Sequence, residues 1–331
     1  MTACAARLRA IDESLIARFA AALCALWPPA NGTGRLGLAV SGGPDSLALL
    51  LLAAKALPGR VEAATVDHGL RAESAAEAAF VGEVCAHLGV PHEALAVRVP
   101  GGNVQSEARA ARYAALGQWL ERRGLGALAT AHHADDQAET LLLRLNRASG
   151  VAGLSGVRAL GRVPGGPALL LRPLLGWRRA DLAGVVAAAG IAPVHDPSNT
   201  DPRFDRARLR AALAAADWID VAALAQSAAH LADADAALEW ATAREWRENV
   251  RPGALGSYVY RPAAPRAIVL RVIALLVEKL EGEAARGSAV ARLFDTLVAG
   301  QPGSLGNLVA RPTPEGWSFA PAPKRRAPKP A

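Results

Sequence analysis

Cysteine is scarce in this chain: Cys4, Cys24 and Cys85 are the only three in 331 residues. An odd number without Cys-x-x-Cys spacing excludes a disulfide framework, a four-thiolate zinc site and an obvious cluster-bearing pair, and it fits a reducing cytoplasm. Long hydrophobic runs are missing as well. The longest uncharged apolar stretch, Leu182 to Val194, has 13 residues interrupted by Gly184, Gly190 and Pro193, whereas a bilayer span needs about 20. The apolar segment from Arg18 to Trp27 follows Asp12 and Glu13 and is stopped by Pro28-Pro29, so it reads as an amphipathic helix and not as a secretory leader. There is no internal repeat and no collagen-like glycine period.

With 52% apolar and 20% charged residues the chain can bury a proper core, and at roughly 150 residues per domain its length suggests about two domains. Lysine and arginine outnumber acids by 37 to 30, a formal charge of +7. That surplus is compatible with a polyanionic partner and equally with coding composition.

Strand and helix signals alternate through the first two thirds. Residues 35–40 read as a buried strand and 47–57 as a helix, followed by a strand at 61–66, a helix at 72–88 and a strand near 94–99. Ser106 is a candidate cap for a long helix to about Arg123, then come a short strand at 127–130, a helix at 135–145, a strand at 169–172 and a helix at 177–190. Short joints between such units imply a parallel sheet covered by helices. The polar loop His195-Asp-Pro-Ser-Asn-Thr-Asp-Pro202 marks a candidate boundary, and the expected organisation is 1–205, a nucleotide-binding α/β domain; 206–320, a small mainly helical domain; and 321–331, a loose basic Pro-rich tail.

The strongest local feature is Ser41-Gly42-Gly43-Pro44-Asp45-Ser46 between a strand and a helix. Two glycines allow close backbone approach, Ser41 and Ser46 add hydroxyls, and the new helix offers free N–H groups and its positive end, which together make an anion cradle. Asp45 would repel a bare phosphate, so its presence points to a bridging cation such as magnesium or to a reacting group that needs orientation. No lysine lies in the turn, so a Walker A loop is excluded. Gly32-Thr-Gly34-Arg-Leu-Gly37 matches G-x-G-x-x-G but precedes the first strand, which defeats a dinucleotide reading and leaves a turn. His132-His133-x-Asp135-Asp136-x-x-Glu139 imitates a metal cluster, yet a helix after a strand cannot converge enough of these groups for zinc.

The loop Ser41 to Ser46 resembles the pyrophosphate-binding loop of the PP-loop ATP pyrophosphatases. Val66-Asp-His-Gly-Leu-Arg71, Glu107-Ala-Arg-Ala-Ala-Arg-Tyr113, Thr130 to Thr140, and Asp196-Pro-Ser-Asn199 followed by Phe204 resemble, in order and spacing, the tRNA(Ile)-lysidine synthetase family. The likeness covers about residues 36–210. It implies a parallel-sheet, adenine nucleotide alpha hydrolase-like domain and a cytoplasmic enzyme. ATP would adenylate the C2 oxygen of the wobble cytidine of the CAU-anticodon isoleucine tRNA, and the ε-amine of free L-lysine would then displace AMP. The resemblance leaves a homodimer open and implies no membrane partner.

Under that resemblance Ser41, Gly42, Gly43, Pro44, Asp45 and Ser46 hold pyrophosphate, with Asp45 positioning Mg2+. Asp67 and His68 contact the adenosine, although a structural histidine is an equal reading of His68 alone. His133 and Asp136, with Asp45 and Arg112, form the catalytic set. Arg109, Arg112, Arg147 and Arg206 face the substrate, and Glu139 orients the lysine ammonium. Arg144, Arg147 and the 150–154 connector are expected to form a mobile, basic region facing tRNA. Ala148 replaces a usual glycine and Ala207 a usual asparagine. Other readings are a PP-loop cytidine thiolase, which the isolated cysteines disfavour, and a non-catalytic RNA-binding scaffold, which intact Asp45, His133 and Asp136 disfavour.

Overall fold

The computed structural model describes residues 10–28, 34–67, 74–97, 104–194 and 201–322, with only the backbone given at 104–106. Two compact units emerge, Met1–Ala232 and Asp233–Ala331. The first therefore runs past the expected boundary at 205, because the helix after that loop returns to the sheet domain, as shown below.

In the first unit α1 (Glu13–Leu26) precedes β1 (Leu36–Ala39), α2 (Pro44–Ala56), β2 (Val61–Asp67), α3 (Ser74–Leu88), β3 (His92–Ala96), α4 (Val104–Arg123) and β4 (Ala127–Ala129). Then follow α5 (Ala134–Leu145), the single turn α6 (Val151–Leu154), β5 (Leu160–Arg162), β6 (Leu169–Leu171), α7 (Arg179–Ala188) and α8 (Asp205–Ala215). The sheet order is β3-β2-β1-β4-β6-β5. Every neighbouring pair is parallel except β5 with β6. The central strand is covered on both faces: Leu36 and Leu38, on one, are fully buried, and Gly37, on the other, faces Leu120 and Trp119. Residues 46–53 of α2 are buried without a break, since α1 and α7 pack against it. Each leucine so buried contributes about 2 kcal/mol.

Glycine in the G-x-G-x-x-G match serves packing. A Cβ on Gly37 would lie 2.6 Å from Leu120 and 2.7 Å from Trp119, and one on Gly34 would lie 2.5 Å from Trp27. The missing side chains let the indole rings seat against the backbone. The apolar 18–27 segment is the docked helix α1, whose Arg18 guanidinium stacks 4.1 Å from the Trp177 ring centroid. Strand β5 had no counterpart in the sequence reading, because Leu-Gly-Arg is too short to show a period.

From β1 the chain steps outward through β2 to β3 and then crosses back to lay β4 on the other side of β1. The connections leaving β1 and β4 diverge, opening a crevice at the carboxyl edge, where open parallel sheets bind ligands. The loop 41–46 leaves β1 there, and His132 and His133 leave β4.

Helix α9 (Val221–Asn249) crosses the division between the units. The second unit contains β7 (Val250–Pro252), β8 (Tyr258–Tyr260), α10 (Arg266–Glu281), α11 (Gly287–Val298), β9 (Gly303–Leu305), β10 (Leu308–Thr313) and β11 (Gly316–Pro321). Its helices are accompanied by a five-stranded antiparallel sheet, β7-β8-β11-β10-β9, which composition did not foretell, since the region reads as mainly helical and Pro312 lies inside a strand, where proline is disfavoured. Gly316 (φ 138°) is the one residue type that fits its turn, because a Cβ would lie 2.5 Å from the Tyr260 carbonyl oxygen.

Candidate active site

Helix α2 starts at Pro44, three residues earlier than its apolar pattern suggests, so half of the loop 41–46 is its first turn. Pro44 occupies a position where a missing N–H costs nothing. The N-cap is Gly43, which has no side chain to occupy the first-turn amides, and they remain available to an anion. The loop is closed from within: the Ser41 N–H donates to Ser46 Oγ at 3.1 Å, and Ser46 Oγ donates to the Gly43 carbonyl at 3.0 Å. Gly42 has φ 85° and would push a Cβ to 3.2 Å from Val194, so its backbone demands glycine. Gly43 has an ordinary φ of −73°, and a Cβ there would meet only Ser41 Oγ, at 3.8 Å. Nothing in the protein itself requires that glycine. The open space suits a ligand approaching the backbone.

Across the crevice, His133 caps α5. Its Nδ1 accepts from the Asp136 N–H at 3.4 Å, and its own N–H donates to Asp136 Oδ2 at 3.2 Å. The His133 ring is 1% exposed, with Nε2 3.4 Å from Asp45 Oδ2 and 3.6 Å from Asp136 Oδ2. The geometry thus gathers Asp45, His133 and Asp136 from two loops. Burial opposes a charge on His133, but Asp45 and Asp136 outweigh it and raise the ring above its ordinary value. His132 goes the other way, to about 4, because burial is joined by Arg172, Arg109 and Arg206 against the pull of Asp136. Its Nδ1 lies 2.9 Å from Thr130 Oγ1. Adjacent rings with opposed shifts suit acid–base chemistry.

Asp45 Oδ1 and His133 Nε2 are buried without hydrogen-bond partners. The orphaned Asp45 oxygen at a phosphate cradle fits a magnesium ion, which takes one or two carboxylates and completes its shell with phosphate oxygens and water, while His133 Nε2, which carries the ring proton when Nδ1 accepts from Asp136, is a donor suited to a phosphate oxygen. No group of three or more metal-binding side chains occurs among the described residues.

Glu139 behaves differently from its expected role. It is 1% exposed and its oxygens already accept from Arg179 at 3.1 Å and from Arg210 at 2.6 and 3.2 Å. Arg210 also approaches Asp136 at 3.9 Å, which ties α8 to the crevice and explains why the first unit extends past residue 205. Asp135 accepts two bonds from the Arg178 side chain and one from the Arg179 backbone. Burial works against its ionisation, but these bonds prevail and lower its pKa. Arg178 and Arg179 were missed in the sequence. The available signal was electrostatic: three acids at 135, 136 and 139 exceed what α5 neutralises locally, so cations must arrive from elsewhere in the fold.

The remaining expected residues are spread around this centre. Asp67 ends β2 and accepts from Ser74 Oγ at 2.5 Å. Arg109 and Arg112 lie on α4, both exposed, with Arg109 5.0 Å from the Tyr113 ring centroid. Arg206 reaches Thr140 Oγ1 at 3.5 Å, and Arg147 pairs with Asp205 at 3.1 Å. His68, the 196–199 block and the tail from residue 323 lie outside the described residues. Just beyond the 150–154 connector, buried Gln137 donates to the Val157 carbonyl at 2.9 Å and accepts from its N–H at 2.8 Å. Ala148 has φ 51°, the left-handed conformation that explains glycine as the usual residue there.

A PP-loop domain model matches residues 13–216. A tRNA(Ile)-lysidine synthase of Novosphingobium aromaticivorans is 49% identical over 304 residues, covering 91% of this chain and 93% of its own. The chain belongs to the tRNA(Ile)-lysidine synthase family. A second family member, from Zymomonas mobilis, is 42% identical over 300 residues and covers 89% and 90% of the two chains. In fold, the chain is similar to a U34-tRNA thiolase of Methanococcus maripaludis that carries a [4Fe-4S] cluster, with TM-score 0.53, 14% identity and coverage of 66% and 78%. That likeness concerns architecture alone. Membership in the family makes the chain an ATP-using enzyme, and no described helix is long and apolar enough to cross a membrane. Of the two described cysteines, Cys24 is exposed, whereas Cys85 is buried and its thiol is pushed up to about 12 by burial.

Proposed function

We propose that this cytoplasmic protein adenylates the C2 oxygen of the wobble cytidine in CAU-anticodon tRNA(Ile) and joins free L-lysine to C2, releasing pyrophosphate and AMP. The observation that carries the reading is the convergence of Asp45, His133 and Asp136 beside a glycine-capped anion cradle. Magnesium, held by Asp45 and Asp136, would supply charge neutralisation at the phosphates. Ser41, Gly42, Gly43 and Ser46 receive the β,γ-phosphates, and Asp67 marks the adenosine side of the crevice. His133, whose Nδ1 accepts from the Asp136 N–H, would present its Nε2–H to the leaving phosphate as that group accumulates negative charge.

Lysine must lose a proton from a group whose free pKa is about 10.4 before it attacks. His132, pulled down to about 4, is a poor acceptor, and the raised basicity of His133 makes it the better of the two rings. A cavity of about 200 Å³ lined by Asp135, Glu139, Arg178, Arg179 and Arg210 offers both charges that free lysine needs. Arginines suit its carboxylate, and carboxylates suit its ammonium groups. Glu139 then acts by holding Arg179 and Arg210 in place.

Incorporation of radiolabelled lysine into unmodified CAU-anticodon tRNA(Ile), with ATP and magnesium, tests the proposal against the same RNA carrying uridine at the wobble position. Cytidine-dependent label is the expected result. Absence of label with folded protein and intact RNA would overturn it and favour another nucleophile or a binding role.

A further inference from the structure

A groove of about 290 Å³ opens between the end of α5 and the start of α8, lined by Leu143, Asn146, Arg147, Asp205, Arg208 and Leu209. Its polar centre is a single carboxylate shared by two arginines. Arg147 contacts Asp205 Oδ2 at 3.1 Å, and Arg208 contacts the other oxygen. The three side chains are 61%, 50% and 61% exposed, and ion pairs so exposed add little to stability. Folding therefore does not account for two guanidiniums gathered on one acid, which leave a net single positive charge. Leu143 and Leu209 give the groove apolar walls, and Phe204, 37% exposed, directly precedes Asp205 as the N-cap of α8. Apolar or aromatic surface next to guanidiniums is the combination that holds unpaired nucleotides, stacking the base and neutralising the phosphate.

We infer that this groove binds an unpaired nucleotide of the RNA substrate flanking the reacting base, and that Asp205 restrains the two arginines until a phosphate displaces it. The inference rests on the reading of the protein as a tRNA-modifying enzyme. Position supports it: α5 begins at the His133 cap in the crevice and ends at Asn146. Twelve residues at 1.5 Å each place the groove about 18 Å away along the same helix, within the span of one RNA loop. Charge complementarity favours RNA, since the groove offers guanidiniums in excess of its one carboxylate. Asp205 lowers the affinity for phosphate in general, so backbone binding alone does not hold a wrong RNA.

The test uses the full chain, a fluorescein-labelled CAU anticodon stem-loop titrated across a salt series, and RNA-dependent pyrophosphate release. Replacing both Arg147→Ala and Arg208→Ala should weaken RNA binding about tenfold and flatten the salt dependence by one to two phosphate contacts. KM for RNA should rise in parallel while KM for ATP, which reads correct folding, stays at the parent value. Asp205→Asn should do the reverse, tightening RNA binding about threefold and steepening the salt slope. Unchanged RNA affinity and salt slope in the double variant would overturn the groove as a binding site. Weaker binding by Asp205→Asn would overturn its restraining role. A parent protein that releases no pyrophosphate in response to RNA would instead remove the functional reading on which the inference stands.

Discussion

The adjacent rings His132 and His133 should titrate on opposite sides of the ordinary histidine value. His132 falls from 6.5 to about 4, chiefly through burial, with Arg172, Arg109 and Arg206 adding to it. At 1.36 kcal/mol per pH unit that displacement corresponds to about 3.4 kcal/mol, and because the ring is only partly buried, screening reduces the usable part to about 2 kcal/mol. In the unfolded chain His132 takes up its proton near pH 6.5, in the folded chain only near 4. The unfolded state therefore binds more protons between these values, so this contribution to stability is full above 6.5 and is lost as pH falls toward 4. His133 has the opposite sign. Its raised folded value makes its contribution full below about 6.5 and lost as pH climbs through that raised value. Imidazole Cε1–H resonances recorded over pH 4–8 in magnesium-free buffer, assigned with His132→Gln and His133→Gln among seven histidines, read both rings directly. Urea unfolding of the first unit should show the parent losing about 1–2 kcal/mol more than His132→Gln between pH 6.5 and 4.5. A His132 resonance titrating within about half a unit of 6.5, or the two rings titrating together, would refute the reasoning.

Four substitutions probe the rest of the site. Glu139→Gln takes a buried charge away from Arg179 and Arg210; discounted for the partial exposure of both arginines, it should cost about 2–3 kcal/mol and lower Tm by roughly 5–10 °C in a thermal melt. Asp45→Asn should fold normally and bind RNA but lose about 100-fold or more in RNA-dependent pyrophosphate release, so a near-normal burst would remove Asp45 from its assigned role. Gly42→Ala forces a Cβ onto a residue at φ 85° against Val194 and should cost about 1–2 kcal/mol in urea unfolding while raising KM for ATP. Ala148→Gly relieves a left-handed alanine at φ 51° and should raise stability by up to about 1 kcal/mol, read as a higher urea midpoint.

The parallel sheet, the anion cradle and the family were legible from local signals. The loop 41–46 declares itself through residue types that a strand-to-helix turn around a phosphate needs, and the strands of β1, β2 and β4 through short apolar runs with short joints. The antiparallel sheet of the second unit was hidden, because β7, β8 and β9 are three residues each and Pro312 interrupts the apolar pattern of β10. Gln137, in the first turn of α5, carried no mark of its two bonds to Val157, 20 positions away.

Within the crevice the division is sharper. Sequence by itself pointed to Asp45 through the residue types of the 41–46 turn, and to His133 and Asp136 through the family resemblance of the 130–140 block. Only the tertiary structure decided that Glu139 is already occupied, because Arg179 and Arg210 lie 40 and 71 positions away along the chain. It also decided that His132 and His133 have opposite tendencies: the pKa of a ring depends on burial and on charges arriving from α4, β6 and α8, and no neighbouring residue along the chain encodes that sum.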